Sequence, residues 1–130
     1  MTMTNKRGAL ACALLVFSAG AAAGDFGIDY DVERVPAARL SVASCAAAVK
    51  RGADAVGYVT RTQQDQGKLA MHVSGPRGDG KALVAYCIEA GAMTVWVVQA
   101  LDYAGPGGNA SAGVKQRVAD ELRRAAGLKK

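Results

Sequence analysis

The stretch K-A-L-V-A-Y-C-I-E-A-G-A-M-T-V-W-V-V-Q-A-L, residues 81–101, decides the fold of this chain. Two apolar runs, 81–89 and 93–101, flank the turn dipeptide Ala90-Gly91. Each run is apolar on both alternating faces, which favours strands in the interior of a sheet. The short connection between them predicts an antiparallel hairpin.

Two further strands are predicted upstream, at 56–63 and 68–74, with Asp65-Gln66-Gly67 as the turn between them. A loop rich in turn residues, G-P-R-G-D-G at 75–80, leads into the central hairpin. All connections from 56 to 101 are of hairpin length, so this part of the sheet should be antiparallel. In the third strand we expect one alternating set to face inward (Leu69, Met71 and Val73) and the other to face outward (Ala70, His72 and Ser74).

The first strand should run from Phe26 to Glu33 and end at Pro36. Its apolar residues share one face (Phe26, Ile28, Tyr30 and Val32), and its acids share the other (Asp29, Asp31 and Glu33). This alternation is typical of a half-buried strand. We expect the acidic side to be solvated, with cross-strand partners such as Arg61, Lys68 or Lys81.

Two segments have helical periodicity. In the first, apolar residues form one stripe (Val42, Cys45, Ala46, Val49 and Ala53), with Ser41 as N-cap and Gly52 as the end. The last segment has a second stripe (Val114, Val118, Leu122 and Ala125), with Asn109 or Ser111 as cap and Gly127 as the end.

The order β-α-β-β-β-β-α predicts an α+β fold, a two-layer sandwich. A mostly antiparallel sheet of about five strands carries both helices on one face. We expect Trp96 and the Tyr side chains to make the opposite face partly apolar. That face should then meet a partner or a second copy in a homodimer.

Residues 1–24 have the layout of a secretory signal peptide. The positive charges Lys6 and Arg7 precede an apolar run at 9–17 and a stretch of small residues at 18–24. Cleavage is expected near Ala23/Gly24, which leaves 25–130 as a single small domain in the periplasm or outside the cell. The apolar run is too short for a transmembrane helix, which needs roughly 20 residues, and no later segment approaches that length.

Removing Lys6 and Arg7 from the 16 basic residues leaves 14 against 11 acidic ones, a net charge of +3. This is too little for nucleic-acid binding. Cys12 would leave with the leader, so Cys45 and Cys87 remain. In an oxidising compartment such a pair most often forms a disulfide, which here would join the first helix to the fourth strand.

No residue pattern in the chain predicts catalysis, a metal site or a cofactor. His72 is the single histidine, and Ser74 beside it lacks a third orienting group. The three acids of the first strand lie about 7 Å apart, unlike a calcium loop. The two cysteines have no third or fourth metal ligand nearby.

Three segments resemble small, uncharacterised exported bacterial proteins classed as domains of unknown function. These are D-Y-D-V-E-R-V-P-A-A-R-L from Asp29, H-V-S-G-P-R-G-D-G-K-A-L-V-A-Y-C from His72 and T-V-W-V-V-Q-A-L-D-Y from Thr94. The resemblance assigns no functional residue.

The sequence therefore favours a non-enzymatic periplasmic module that binds a protein or small-molecule partner and is stabilised by its disulfide. One alternative is a small periplasmic enzyme that uses His72 or the acidic strand. Another is a homo-oligomeric structural protein that assembles through the Trp96 face of the sheet.

Overall fold

Five strands and two helices follow one another in the predicted β-α-β-β-β-β-α order. The computed structural model describes residues 26–78, 80–103, 105 and 110–128, so the predicted leader and the Asn109 cap lie outside the described residues. The elements are β1 Gly27–Pro36, α1 Val42–Ala55, β2 Val59–Asp65, β3 Leu69–Gly75, β4 Lys81–Ala90, β5 Met93–Asp102 and α2 Ala110–Ala125.

The sheet is antiparallel, with the strand order β1-β5-β4-β3-β2. Strands β2 to β5 form a meander, and β1 returns to pair along the whole of β5, from Gly27 opposite Asp102 to Pro36 opposite Met93. Both β4 and β5 are interior strands, which explains why they are apolar on both faces. The predicted α+β sandwich is confirmed.

Both helices cover the same face of the sheet, α1 over β3 and β4 and α2 over β1 and β5. They also pack against each other at Gly52, where a Cβ atom would lie 2.8 Å from the Cα of Val118. Gly52 is therefore a close-contact residue inside α1, and the prediction that it ends the helix is wrong. The chain turns later, at Gly57, which has a φ of 77°.

Local capping chemistry sets the other described helix ends. The Ser41 side chain accepts a hydrogen bond from the Ser44 amide at 3.1 Å, as expected of the N-cap. Gly127, with a φ of 74°, follows α2, and its amide donates to the Arg124 carbonyl at 3.0 Å. Ser111 is buried within α2 and does not precede it.

The hydrophobic core lies between the helices and the sheet. Its largest fully buried apolar side chains are Trp96, Leu40, Leu83, Leu122, Val49, Val98 and Val118. A disulfide joins Cys45 of α1 to Cys87 of β4, with the two Cα atoms 6.0 Å apart. This covalent link fixes α1 on the centre of the sheet.

The predicted facing of β3 is wrong. Its Ala70, His72 and Ser74 side chains are buried beneath the helices, and the alternate set with Leu69 lies on the other side. The register gives the reason, because Ala70 lies opposite Cys87, whose side chain bonds to α1. Every second residue of β3 is consequently directed toward the helices.

The facing of Trp96 and of the acidic strand also differs from expectation. Trp96 is 1% exposed and lies opposite both Cys87 and Glu33 in the register, so it belongs to the helix-covered face. The prediction that Trp96 lies on the helix-free face, where a homodimer would form, is therefore wrong. Asp31 and Glu33 of β1 also lie on this covered side, where they contact basic residues of α2.

Candidate functional site

The side of the sheet without helices is a broad and mainly apolar surface, here called the open face. Alternation and register assign its members from all five strands. The apolar members include Ile28, Tyr30, Val32, Leu69, Met71, Val73, Val84, Tyr86, Ile88, Val95, Val97 and Leu101.

Apolar side chains line up across the strands of the open face. Val32, Val97, Tyr86 and Met71 lie opposite one another in turn, from the β1 edge through β5 and β4 to β3. Opposed residues of neighbouring strands have Cβ atoms about 5 Å apart, so these four side chains form one contiguous row. The row gives the open face a continuous apolar centre.

Exposure is greatest where the open face reaches the edge strands. On β1, Tyr30 is 64% and Val32 is 53% exposed, and Ile28 is also exposed. Phe26 extends this edge and contacts Tyr103, with ring centroids 6.3 Å apart. A contiguous apolar patch of this kind is typical of a binding surface rather than of ordinary solvent-facing sheet.

Charge is sparse on the open face. Among the described strand residues, the register directs Arg34 of β1 to this side, and Arg61 of β2 lies against the open-face position Gly75, with its Nε 3.2 Å from where a Cβ would be. The polar members Thr62, Gln64 and Gln99 are uncharged. Low charge at the centre of a patch is the compositional signature of protein interfaces.

Two of the three acids of β1, Asp31 and Glu33, are paired with basic residues of α2. Arg123 donates from Nε at 3.0 Å and from Nη2 at 2.7 Å to one carboxylate oxygen of Glu33. Lys115 lies 3.5 Å from Asp31. The hydrogen bond to Glu33 raises the pKa of Arg123, and Asp31 adds to this. The described ion pairs of these acids therefore do not involve the expected partners Arg61, Lys68 and Lys81.

Arg123 also connects this ion pair to the core. Its guanidinium carbon lies 5.7 Å from the centroid of the Trp96 ring, within cation–π range. The acids and Arg123 together attach the edge strand β1 to α2. This is a structural role, and it leaves Asp31 and Glu33 little freedom to act as a catalytic pair.

His72 is buried under α1 and is only 3% exposed. Neither ring nitrogen has a hydrogen-bond partner among the described residues, and the same is true of Ser74 Oγ. Burial lowers the pKa of His72, Lys50 lowers it further, and Asp54 offsets part of the shift. The imidazole is therefore neutral at pH 7, and it forms no hydrogen bond with Ser74.

A cavity of about 10 Å³ adjoins His72, with Ala46 and Val49 of α1 and Gln63 of β2 in its wall. That volume is at the lower limit for a single water molecule. The cavity is too small for a substrate. The structure thus places His72 and Ser74 together, as expected, but inside the protein rather than outside it.

A larger cleft of about 350 Å³ lies beside the N-terminus of α1. Ser41, Glu89 and Thr94 contribute to its wall. Thr94 is already engaged, since its hydroxyl donates to the Leu40 carbonyl at 2.6 Å. The Glu89 carboxylate opposes the anions that a helix N-terminus would otherwise attract, so this cleft is a weaker candidate than the open face.

Within the residues that the structure describes, no three histidine, cysteine or acidic side chains form a cluster able to hold a metal ion. In that same part of the chain, no helix has the length and apolar character needed to cross a membrane. The open face remains the most distinctive surface of the protein.

Comparison with known families identifies one match. Residues 25–127 match the family of unknown function DUF6180, and the chain belongs to that family. A comparison with curated proteins finds no match. The expected resemblance to a domain of unknown function is confirmed, and it transfers no activity to any residue.

The sequence predicted a partly apolar face opposite the helices and assigned Trp96 and the Tyr side chains to it. The structure places Tyr30 and Tyr86 on that face, but Trp96 lies on the covered side and its neighbour Val97 lies on the open one. The signal was present in β4 and β5, which are apolar on both sides. A single helix layer covers one side, so the second apolar side requires a separate explanation.

Proposed function

We propose that this protein is exported and acts as a non-enzymatic binding module, with the open face as its binding surface. The contiguous apolar row from Val32 to Met71 is the observation that carries the proposal. A solvent-facing side of an antiparallel sheet is normally polar. Here the outward residues are apolar, and binding explains that composition.

Two features support export. Residues 1–24 have the pattern of a signal peptide, and the family match begins at residue 25, where that pattern ends. The Cys45–Cys87 disulfide is the kind of bond that persists in an oxidising compartment. Both features favour the periplasm or the cell exterior.

The enzyme alternative has less support. His72 is buried beside a cavity too small for a substrate, and Asp31 and Glu33 of β1 are paired with α2. A general acid or base must reach the proton that it transfers. His72 is not placed to meet a ligand from solvent, and Asp31 and Glu33 are already paired with Lys115 and Arg123.

The open face suits a protein surface better than a small ligand. Small molecules bind in concave pockets that enclose most of their surface. An extended sheet face is shallow, and it complements another broad apolar surface. We therefore assign its occupant as a folded protein.

Photo-crosslinking in the exporting cell tests this function. A photoreactive residue replaces Val97 at the centre of the open face, and in a control it replaces Ala47, an exposed residue on α1. We expect protein adducts from position 97 and none from position 47. Equal yields at both positions, or no adduct at 97, would refute binding through this face.

Export is tested separately by fractionation and intact mass. We expect the protein in the periplasm or medium, with a mass that starts near residue 25 and with both thiols oxidised. A full-length reduced chain in the cytosol would contradict the export proposal.

A further inference from the structure

We infer that the occupant of the open face is a second copy of this chain, in a homodimer that packs sheet against sheet. The inference rests on the proposed function and names its partner. Three properties of the open face support it: its area, its charge and its shape.

The area of the open face matches that of a stable dimer. Strands lie about 4.8 Å apart and rise about 3.3 Å per residue, so five strands of 7 to 10 residues cover about 700 Å². Two copies would together bury about 1,400 Å², which is within the standard range of about 1,200–2,000 Å² for specific interfaces. A smaller partner would leave part of the apolar face exposed.

The charge distribution permits this face to meet itself. In a two-fold dimer the same patch faces its own copy, so a charge near the centre would meet a like charge. Arg34 and Arg61 lie on the two edge strands, β1 and β2, away from the central β4. The acids Asp31 and Glu33 are on the opposite side of the sheet, paired with α2.

The shape also fits a second sheet. Two antiparallel sheets pack with their strands about 30° apart and about 10 Å between layers, with interdigitating side chains. Val97, Tyr86 and Ile88 supply the branched and aromatic side chains that such a layer contains. The dimer would have four layers, with the helices of each copy outside.

Sedimentation equilibrium of the oxidised, exported protein tests the inference, from about 1 µM to about 100 µM. We expect twice the chain mass in the upper part of this range. Val97→Lys puts a charge at the centre of the face, opposite its own copy, and should raise the dimer dissociation constant at least about 100-fold. Ala47→Lys adds the same charge on the outer surface of α1 and should leave the constant unchanged.

Val32→Lys is a second open-face variant, which tests whether the effect of Val97→Lys comes from a folding defect. Val32 is 53% exposed and lies in the same row at the edge of the sheet, so its replacement leaves the core intact. It should also weaken the dimer while the circular dichroism spectrum stays the same. A dimer that both open-face variants leave intact would use another surface and would overturn the inference.

The two proposals fail in different ways. A monomer across the whole range, together with a position-97 adduct to a different protein, would overturn the homodimer and leave the proposed function standing. A monomer with no adduct at position 97 would overturn both. An adduct of twice the chain mass, together with a dimer dissociation constant that Val97→Lys raises, supports both the homodimer and the proposed function.

Discussion

Val97 and Val98 are neighbours on one strand, yet they belong to surfaces with different roles. Val98 is 0% exposed and lies under the helices, whereas Val97 faces the side that no described helix covers. The same contrast holds for every strand in the interior of the sheet. Side-chain type therefore does not distinguish the two faces; the difference is what packs against them.

The helix-covered face contains nearly everything that stabilises the fold. It holds the disulfide, the buried core and the ion pairs between β1 and α2. The open face is also apolar but has no covering layer in the single chain. The covered face therefore determines the stability of the fold, and the open face is available for association.

Loss of the disulfide should have the largest effect on the covered face. In the chain-entropy account, a bridge between residues 42 apart stabilises by about 4 kcal/mol, and measured values are often lower. We expect the Cys45→Ala, Cys87→Ala double variant to unfold at markedly lower urea concentration than the oxidised protein. Reduction of the unmodified chain is the control and should give a similar shift. An unchanged midpoint in both would show that the bridge does not stabilise the covered face.

The adjacent valines provide the sharpest test of the comparison. Val98→Ala leaves a cavity in the core and should cost about 2 kcal/mol of unfolding free energy. Val97→Ala removes the same atoms from a partly exposed site and should cost less than about 1 kcal/mol at concentrations where the chain is monomeric. Urea titration of both variants measures the difference. Equal costs would mean that a second layer already covers the open face under those conditions.

Much of the fold was predictable because it depends on local patterns. Turn residues and alternation identified the five strands, and Ser41 and Gly127 marked two helix ends through capping. The prediction at Gly52 was wrong because, in the sequence alone, a glycine that allows the close approach of Val118 cannot be distinguished from a glycine that ends a helix. Tertiary contacts of this kind are not encoded locally.

The candidate site was less predictable for a geometric reason. Alternation divides a strand into two sets of residues, but it does not say which set faces the helices. On β3 both sets contain apolar residues, so the choice depended on Ala70 lying opposite Cys87. On β1 the acids appeared solvated because their partners, Arg123 and Lys115, are distant in sequence.

His72 tests whether burial beneath α1 disfavours a positive charge. Its pKa in the folded protein is below the ordinary value of 6.5, mainly because it is buried. Below pH 6.5 the unfolded chain binds a proton that the folded chain does not, so the free energy of unfolding should fall as pH falls. Well above pH 6.5 the imidazole is neutral in both states, so His72 adds no pH dependence to the free energy of unfolding. The slope for one group is at most about 1.4 kcal/mol per pH unit.

Urea unfolding between about pH 7.5 and about pH 5.5 measures this dependence. His72 is the only histidine in the chain, so His72→Gln should flatten the slope in that window. A slope that persists in His72→Gln would assign the dependence to another group and show that burial of His72 does not control it.

The ion pair between β1 and α2 should have the smallest effect. Glu33 and Arg123 are partly exposed, with relative side-chain exposures of 33% and 21%, so solvent screens their attraction. We expect the coupling free energy from a Glu33→Gln and Arg123→Met double-mutant cycle to be about 1 kcal/mol or less. The cycle separates the pair from the contact between Arg123 and Trp96, because that contact is lost equally in both backgrounds. A coupling well above this range would mean that attachment of the edge strand, and with it the exposed border of the open face, depends on the ion pair more than on the core beneath it.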